Sequence, residues 1–408
     1  MRISKNVASA YPWFIVGMLW IVAFLNYLDR ILITSMRDPI VTEFSLTDAQ
    51  FGLLTSVFLW SYGLLSPFGG FFADKYSRKK VIVFSVLVWS IVTLWTGFVS
   101  SFEEMLVARI IMGISEACYI PAALALITDY HKGKTRSLAT GLHMSGLYAG
   151  LAIGGIGGYI AELWGWRWGF QTFGLFGILY SFVLMYFLKD VKSEKGEAQI
   201  KANERVSLVG SFKKLLGEPS FLVLLFYFSV LGMVNWLVYG WLPTFLKDHF
   251  HLDLGEAGIS ATGYIQIGSF IGVVVGGILA DRWTRNNVKG RLYVLIIGFT
   301  LGAPFLFLMA STSIFGIAVL AMLIFGLARG FNDANLMPIL CQIVDGRYIA
   351  TAYGFLNFLS TIIGGAMVYV GGALKDANVD LSIIYQVSAA LMLLATFSLF
   401  LVKLKRTR

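Results

Sequence analysis

The sequence predicts an all-α membrane protein with twelve transmembrane helices in two pseudo-symmetric six-helix bundles. Three observations support this fold class: an apolar composition, twelve long apolar runs, and a charged motif that occurs twice. Hydrophobic residues make up 57% of the 408 residues and charged residues only 13%, with a mean hydropathy of +0.75. An average soluble protein carries about 25% charged residues. Most of the surface of this protein is therefore expected to face lipid.

This composition excludes a soluble enzyme, a disordered protein and a nucleic-acid-binding protein. The two cysteines, Cys118 and Cys341, lie inside apolar stretches and predict neither a disulfide framework nor a metal site. We expect no cofactor and no metal. The short polar stretch before Tyr11 lacks the pattern of a removable signal peptide, so the first apolar run is expected to stay in the membrane.

Twelve apolar runs are long enough to cross a bilayer as helices, which takes about 20 residues. The predicted spans are approximately 12–35, 49–73, 80–99, 104–129, 136–163, 167–188, 219–246, 257–280, 291–311, 313–343, 347–374 and 381–403. The polar segment 189–218 predicts a cytoplasmic linker between two domains, 1–188 and 219–408.

Most of the 32 Lys and Arg residues fall in the two terminal segments, in the linker and in the loops that follow the second, fourth, eighth and tenth spans. These segments share one side of the membrane if there are twelve spans. Cytoplasmic loops carry an excess of Lys and Arg, so both termini are expected in the cytoplasm, with the chain in the plasma (bacterial inner) membrane. The net charge of +9 then reflects orientation rather than a nucleic-acid partner, and we expect a monomer.

The fifth span carries glycine at every fourth residue: Gly146, Gly150, Gly154 and Gly158. Residues four apart lie on one face of a helix. Small residues on such a face allow two membrane helices to approach closely. The sequence therefore predicts a close contact between this face and a neighbouring helix.

A motif of the form G-x-x-x-D-[RK]-x-x-R follows the second span and again the eighth, about half a chain later. With twelve spans and a central linker, this repeat resembles the Major Facilitator Superfamily over essentially the whole chain. The resemblance implies that the motif's acid pairs with cations of neighbouring helices and latches the cytoplasmic side shut. The corresponding gating residues are Gly70, Asp74, Arg78, Gly277, Asp281 and Arg285. A plainer interpretation, that these charges mark the cytoplasmic edge, explains Lys and Arg but not the paired Asp.

Few ionisable residues lie within the predicted spans. They are Asp29 and Arg30 in the first, Arg109 and Glu116 in the fourth, and Arg329 and Asp333 in the tenth. A charge at membrane depth costs at least about 2.5–3.5 kcal/mol, so such a residue is functional by default. The alternative is that these residues form salt bridges that only hold helices together.

Three local patterns narrow the resemblance. Asn26-Tyr-Leu-Asp29-Arg30, Arg109-Ile-Ile-Met-Gly113-Ile-Ser-Glu116-Ala117 and Trp164-Gly-Trp-Arg167-Trp-Gly-Phe170 resemble signatures of the anion:cation symporter family. The first two patterns also resemble Spinster-like lipid transporters. The resemblance leaves two substrate classes open, a small anion and a lipid.

The sugar-acid members of the symporter family imply roles for four of these residues. By position, Asp29 and Glu116 take up protons, and Arg30 and Arg109 attract the anionic substrate. Burial disfavours a charged carboxylate and a nearby arginine favours it. An anion that competes for the arginine therefore favours proton binding, which couples the two by linkage. Arg329 and Asp333 match neither pattern, and we expect them to add substrate specificity.

Other polar or amphipathic residues within the spans are candidates for lining the substrate cavity. They are His143, Asn235, Trp236, Gln266, Asn332, Asn335 and Asn357. For each, the alternative is a hydrogen bond that serves packing. The aromatic residues are expected mostly at the lipid face or in the interfacial belts.

The sequence as a whole predicts proton-coupled secondary transport of a small organic anion, such as a sugar acid or other carboxylate, by alternating access. The expected partners are this anion, protons and membrane lipids, with no nucleic acid. A Spinster-like transporter of a lysolipid or other amphipathic lipid is the alternative. A membrane sensor is disfavoured because no segment is long enough for a soluble domain. An intramembrane enzyme is disfavoured because no nucleophile motif or metal pair occurs. Substrate identity, proton stoichiometry and the direction of transport stay open.

Overall fold

A computed structural model describes residues 5–131, 135–190, 213–345 and 348–404, with the backbone alone at 5–9, 67, 70–74 and 350. Every regular element in these ranges is helical. Eleven helical stretches are long and apolar enough to cross a membrane, and the 28-residue helix Asp48–Lys75 adds one more. The predicted all-α fold of twelve membrane helices is confirmed. Most of the predicted linker, residues 191–212, lies outside the described ranges.

The twelve long helices follow one another through short connections. In chain order they are α1 Lys5–Leu32, α2 Asp48–Lys75, α3 Arg78–Thr96, α4 Phe102–Tyr130, α5 Arg136–Trp164, α6 Trp166–Phe187, α7 Pro219–Phe250, α8 Leu254–Thr284, α9 Gly290–Ser311, α10 Phe315–Ile343, α11 Ile349–Asp376 and α12 Leu381–Ser398. A 3-10 turn, Ile33–Met36, and a short helix, Arg37–Phe44, continue α1. We call the face where α1 begins and α12 ends the terminal face, and the opposite one the far face.

Two of the long helices are interrupted where their sequence disfavours a regular α-helix. In α4 the regular helix Phe102–Glu116 stops shortly before Pro121 and resumes as Tyr119–Tyr130, because proline removes a backbone donor and crowds the preceding turn. In α5 a 3-10 turn at Gly154–Ile156 falls within the glycine stripe.

The helix contacts repeat between the two halves. In the first half α1 packs on α5, α2 on α4, and α3 on α6. In the second half the equivalent pairs, α7 with α11, α8 with α10, and α9 with α12, pack in the same way. Two further contacts, α2 with α11 and α5 with α8, join the halves. This repetition is the pseudo-symmetry that the duplicated motif predicted.

The glycine stripe of α5 lies directly against the backbone of α1. A Cβ atom built on Gly146 would come within 2.6 Å of the carbonyl oxygen of Trp20, and one on Gly150 within 2.2 Å of that of Phe24. Contacts this short leave no room for a methyl group. The predicted close approach of the fifth span to a neighbouring helix is confirmed.

The two halves touch at the far face and separate toward the terminal face. A Cβ atom on Gly155 of α5 would lie 2.0 Å from the carbonyl oxygen of Gly258 in α8. About four helical turns closer to the terminal face, a Cβ atom on Gly141 would meet no atom within 4 Å. Gly354, near the start of α11, is similarly open. Neither position touches the other half, so these glycine contacts place the junction between the halves toward the far face.

Candidate functional site

Four ionisable side chains from α1 and α4 meet inside the first half. Their exposed fractions are 3% for Asp29, 2% for Arg30, 1% for Arg109 and 0% for Glu116. Nε of Arg30 donates to Oε2 of Glu116 over 2.7 Å. The pairing is possible because Glu116 lies on the side of α4 that faces the last turns of α1. We call these four residues the α1–α4 charge cluster.

Aromatic rings surround the guanidinium group of Arg30. Its Cζ atom lies 4.3 Å from the ring centroid of Tyr62, 4.5 Å from that of Tyr27 and 5.3 Å from that of Phe58. Such faces attract a cation, by about 2 kcal/mol or more when the pair is desolvated. Nη2 of Arg30 has no hydrogen-bond partner among the described residues, so the group keeps donor capacity beyond its bond to Glu116.

Arg109 is held mainly by weak partners. Its Nε atom donates to the carbonyl oxygen of Leu54 over 3.3 Å, and its Nη1 atom lies 3.3 Å from the sulfur of Met112. Its Cζ atom lies 4.8 Å from the ring centroid of Phe58, which therefore contacts both arginines of the cluster. Within the described ranges its Nη2 atom finds no partner.

Asp29 differs from Glu116 in having no ion pair within the described part of the chain. The hydroxyl of Thr93 in α3 donates to its Oδ2 atom over a long 3.4 Å, and its Oδ1 atom has no described partner. An acid in this position can gain or lose a proton without breaking a salt bridge. Protonation of Glu116, in contrast, would remove the negative charge that faces Arg30.

A second charged group lies on α10 in the other half. Nε of Arg329 is 3.8 Å from Oδ2 of Asp333, and the two side chains are 11% and 27% exposed. They are the most accessible of the six ionisable residues within the spans. The hydroxyl of Tyr148, in α5, donates to Oδ2 of Asp333 over 3.0 Å. This hydrogen bond joins the two halves near the middle of the membrane.

Two of the residues predicted to line the cavity reach the Arg329 and Asp333 pair of α10. Gln266 does so through a tyrosine, and Asn332 does so directly. Gln266 donates to the hydroxyl of Tyr239 over 2.8 Å, and the Cζ atom of Arg329 lies 5.0 Å from the centroid of the same ring. The amide of Asn332 donates to Oδ1 of Asp333 over 3.3 Å. The structure thus brings Gln266 and Asn332 to the Arg329 and Asp333 pair.

The remaining predicted residues lie at different distances from these charges. The ring of Trp236 stacks edge-on against that of Tyr239, with centroids 6.0 Å apart, and Asn235 beside it is half-buried, as is Asn357 of α11. His143, however, is buried against Tyr119 in the packed interior of the first half. Asn335 accepts from Arg291 over 3.2 Å near the terminal face. These last two residues therefore lie away from the central group, His143 in the packed interior and Asn335 near the terminal face.

The predicted gating residues lie at the terminal face. Arg78 pairs with Asp129 at the end of α4 and donates to the carbonyl oxygen of Ala125 over 3.1 Å. Asp281 pairs with Arg291 at the start of α9, rather than with Arg285 beside it. Both pairs join helices of the same half.

The remaining predicted gating positions are Gly277, Asp74 and Gly70. Gly277 has open space around it, since a Cβ atom there would meet no atom within 4 Å. The side chain of Asp74 and the surroundings of Gly70 lie outside the described part of the protein.

Four tyrosines of the site were not among the residues predicted from the sequence. Tyr27, Tyr62, Tyr148 and Tyr239 surround the charged groups, so the expectation that aromatic residues mostly face lipid or the interface is wrong for them. For Tyr27 a signal was available, because it lies three residues before Arg30 and thus on the same face of α1. The other three come from helices distant in sequence, and no local pattern indicated their position.

Comparison with known proteins agrees with this arrangement of helices. The sequence profile of the Major Facilitator Superfamily matches residues 19–369. The chain belongs to the Major Facilitator Superfamily. It is therefore a multi-pass membrane transporter and not an enzyme, and the resemblance seen in the duplicated motif is confirmed.

Similar proteins fall into the two groups that the local patterns indicated. Protein spinster homolog 1 of Xenopus tropicalis is 26% identical over 89% of this chain and 72% of its own length. The probable sulfoacetate transporter SauU of Cupriavidus necator is 27% identical over 93% of this chain and 90% of its own. The D-galactonate transporter of Escherichia coli is 25% identical over 88% of both.

A solved structure shows the same fold. The crystal structure of a bacterial homolog to the human lysosomal transporter Spinster, in an inward-facing and occupied conformation, superposes with a TM-score of 0.82. The alignment covers 96% of this chain and 97% of the other at 22% identity. The likeness extends over all twelve helices and supports the fold.

Proposed function

We propose that this transporter couples protons to the movement of a small organic anion, such as a sugar acid or other carboxylate, by alternating access. The observation that carries the proposal is the α1–α4 charge cluster: two arginines and two acids, each at most 3% exposed, with only one close salt bridge between them. Charges at membrane depth are costly and mark substrate or proton pathways. The similar D-galactonate and sulfoacetate transporters support an anionic substrate.

The geometry provides a physical basis for coupling. Glu116 holds Arg30 through the 2.7 Å bond. A proton on Glu116 removes the charge that holds Arg30, so the guanidinium group becomes available to a substrate anion. An anion bound to Arg30 in turn makes proton release from Glu116 unfavourable. Each ligand favours the binding of the other, as linkage requires.

Asp29 supplies a second proton site in the proposal. It is buried and has no described ion pair, so it changes protonation without rearranging the cluster. Arg109 contributes positive charge to the same site, and its unpartnered Nη2 atom is free to donate to an anion. Arginine suits this task because it stays charged and its planar fork matches a carboxylate.

The rest of the molecule supports alternating access around this site. We propose that the halves 1–188 and 219–408, joined by the linker 189–218, rock as two domains within a monomer. The terminal face is assigned to the cytoplasm of a plasma (bacterial inner) membrane because the basic segments lie there. Asp74 with Arg78, and Asp281 with Arg285 and Arg291, then act as cytoplasmic latches, aided by Gly70 and Gly277.

A Spinster-like lysolipid transporter is the second candidate, because spinster homolog 1 is as similar in sequence as the anion transporters. Both candidates share the fold and the α1–α4 signatures. In the anion transporter the arginines bind the charged group of a small substrate. In the lipid transporter they would bind a headgroup, and the site would also have to accommodate a long apolar chain. A direct comparison of substrates therefore decides between them.

The experiment is uptake into proteoliposomes with an imposed pH gradient, using radiolabelled D-galactonate, sulfoacetate and a lysophospholipid. We expect accumulation of at least one small anion, abolished by a protonophore. Accumulation of the lysophospholipid alone would overturn the anion proposal and favour the lipid candidate. Empty liposomes and the transporter with Arg136, exposed at the start of α5, replaced by alanine serve as controls.

A further inference from the structure

The guanidinium group of Arg329 is poorly satisfied for a group at this depth. Its Nε and Nη1 atoms are inaccessible to solvent and have no hydrogen-bond partner in the described ranges. The nearest acid, Asp333, stands 3.8 Å away, beyond the usual 2.7–3.2 Å of a hydrogen bond. One face of the group rests on the ring of Tyr239 at 5.0 Å. Arg329 therefore keeps unused donors beside a carboxylate that does not reach them.

The carboxylate of Asp333 accepts hydrogen bonds from donors other than Arg329. Tyr148 donates to its Oδ2 atom over 3.0 Å and Asn332 to its Oδ1 atom over 3.3 Å. Its side chain remains 27% exposed, so it faces the space between the halves. Each carboxylate oxygen thus has a partner other than Arg329, and its charge still balances the arginine through space.

Arg329 is the arginine of the second half that lies within a membrane span. The α10 pair meets the first half through the hydrogen bond from Tyr148 of α5 to Asp333. Arg30 already donates to Glu116. Transporters of this type bind substrate between their two repeats, near the middle of the membrane, and a substrate there needs a contact from each half.

We propose that Arg329 is the receptor of the second half for the anionic group of the substrate, and that Asp333 guards this receptor as a resident counter-ion. The inference rests on the proposed anion transport. A carboxylate or sulfonate entering the site would present two oxygens to the Arg329 fork, which Asp333 does not. Asp333 stays on Tyr148 of α5 and lowers the affinity of Arg329 for every anion.

If Asp333 guards Arg329 in this way, removing its charge should strengthen anion binding. Replacing a substrate-binding acid normally weakens binding, but Asp333→Asn should tighten the binding of an anion, because it removes a negative charge while keeping an acceptor for Tyr148. We expect the dissociation constant to fall about fivefold, as for the loss of a competing, partly exposed ion pair. Arg329→Ala should weaken binding about thirtyfold or more. In the Arg329→Ala background, Asp333→Asn should bring no tightening.

The test is equilibrium binding of D-galactonate, or of sulfoacetate if that is the anion accumulated, to purified variants of verified melting temperature. Asp333→Ala is the second variant, with the same expected direction. Asp253→Asn, at an exposed position before α8, is the matched control and should leave binding unchanged. Unchanged or weaker binding in both Asp333 variants, or normal binding in Arg329→Ala, would overturn the inference while anion transport stands. If the unmodified protein binds neither anion, the proposed function itself fails and the inference falls with it.

Discussion

Arg30 is held from several directions at once. Glu116 accepts its Nε–H over 2.7 Å, and the rings of Tyr27 and Tyr62 lie within 4.5 Å of its Cζ atom. A planar, always charged group can satisfy a carboxylate and stack on rings at the same time, which a lysine ammonium does less well. The residue type therefore matters as much as the charge.

Substitution of Arg30 or Arg109 tests this requirement. We expect Arg30→Ala and Arg109→Ala to lose roughly 2–5 kcal/mol of anion binding, which is about thirtyfold or more in affinity. Lysine at either position should restore only part of the loss, because it lacks the fork. Isothermal titration with the transported anion measures the change, and Arg136→Ala is the control. Affinity near that of the unmodified protein in all four variants would exclude both arginines from the anion site.

Asp29→Asn and Glu116→Gln remove a titrating proton and keep the shape of the side chain. Both variants should fail to accumulate the anion when a pH gradient is imposed, because the proposed cycle needs a proton on each acid and each variant lacks one of the two. Exchange of internal for external anion should persist at least in part, because exchange needs no net proton movement. Paired accumulation and exchange assays give the comparison. Normal accumulation by both variants would show that the protons are carried elsewhere.

The charged residues of the site were predictable, whereas among its tyrosines only Tyr27 had a signal in the sequence, its position three residues before Arg30. Asp29, Arg30, Arg109 and Glu116 stand out in sequence because charges are rare within membrane spans. Tyrosine carries no such signal, since it is common at membrane interfaces. Tyr62 and Tyr148 reach the site only through contacts between distant helices.

At the scale of the helix, the contact of α5 with α1 depends on missing side chains. A Cβ atom on Gly150 would lie 2.2 Å from the carbonyl oxygen of Phe24, which is backbone and cannot rotate away. Either the helices move apart or the local backbone shifts. The same helix has a glycine, Gly141, that meets nothing within 4 Å.

This pair of glycines gives a matched comparison. Gly150→Ala should destabilise the protein by about 1–3 kcal/mol through overpacking, and lower its melting temperature in detergent. Gly141→Ala should leave stability unchanged or raise it, because alanine favours the helix and has room. Thermal unfolding followed by intrinsic fluorescence measures both. Equal melting temperatures for the two variants would contradict the close packing of α1 and α5.

Charged contacts close the far face between the two halves. Lys247 of α7 pairs with Asp38 over 2.7 Å, and Lys375 of α11 with Asp48 over 3.2 Å. The carboxylate of Asp376 accepts from the backbone N–H groups of Asp48 and Ala49, both over 2.8 Å. Asp376 thus caps the start of α2 from the other half, where an acid also complements the helix dipole.

Removal of this cap should change the balance of conformations. Asp376→Ala removes two hydrogen bonds that join the halves only when the far face is closed, so we expect the far face to open more often. Labelling of a cysteine that replaces Ser35, which is buried beside Gly258 of α8, on a background without Cys118 and Cys341, should become faster from that side. Asp253→Asn is the control, being exposed near the same face. Unchanged labelling would show that the cap does not contribute to closure.

At the scale of the whole molecule, the duplicated sequence motif corresponds to duplicated packing. Each helix pair of the first half has its equivalent in the second, and the two repeats of the motif follow the equivalent helices α2 and α8. This much follows from sequence, because hydrophobic length and repetition are local properties. The contacts that join the halves, such as Tyr148 with Asp333, depend on how two finished bundles meet, and no single segment encodes that geometry.

The central claim is that anion and proton move together through one site. In proteoliposomes that contain a pH-sensitive dye, an inward gradient of the transported anion, with no initial pH gradient and the membrane potential clamped, should acidify the interior. Asp29→Asn or Glu116→Gln should abolish this acidification, and Asp253→Asn should not. Anion uptake at a normal rate without any proton influx into liposomes of the unmodified protein would contradict the account.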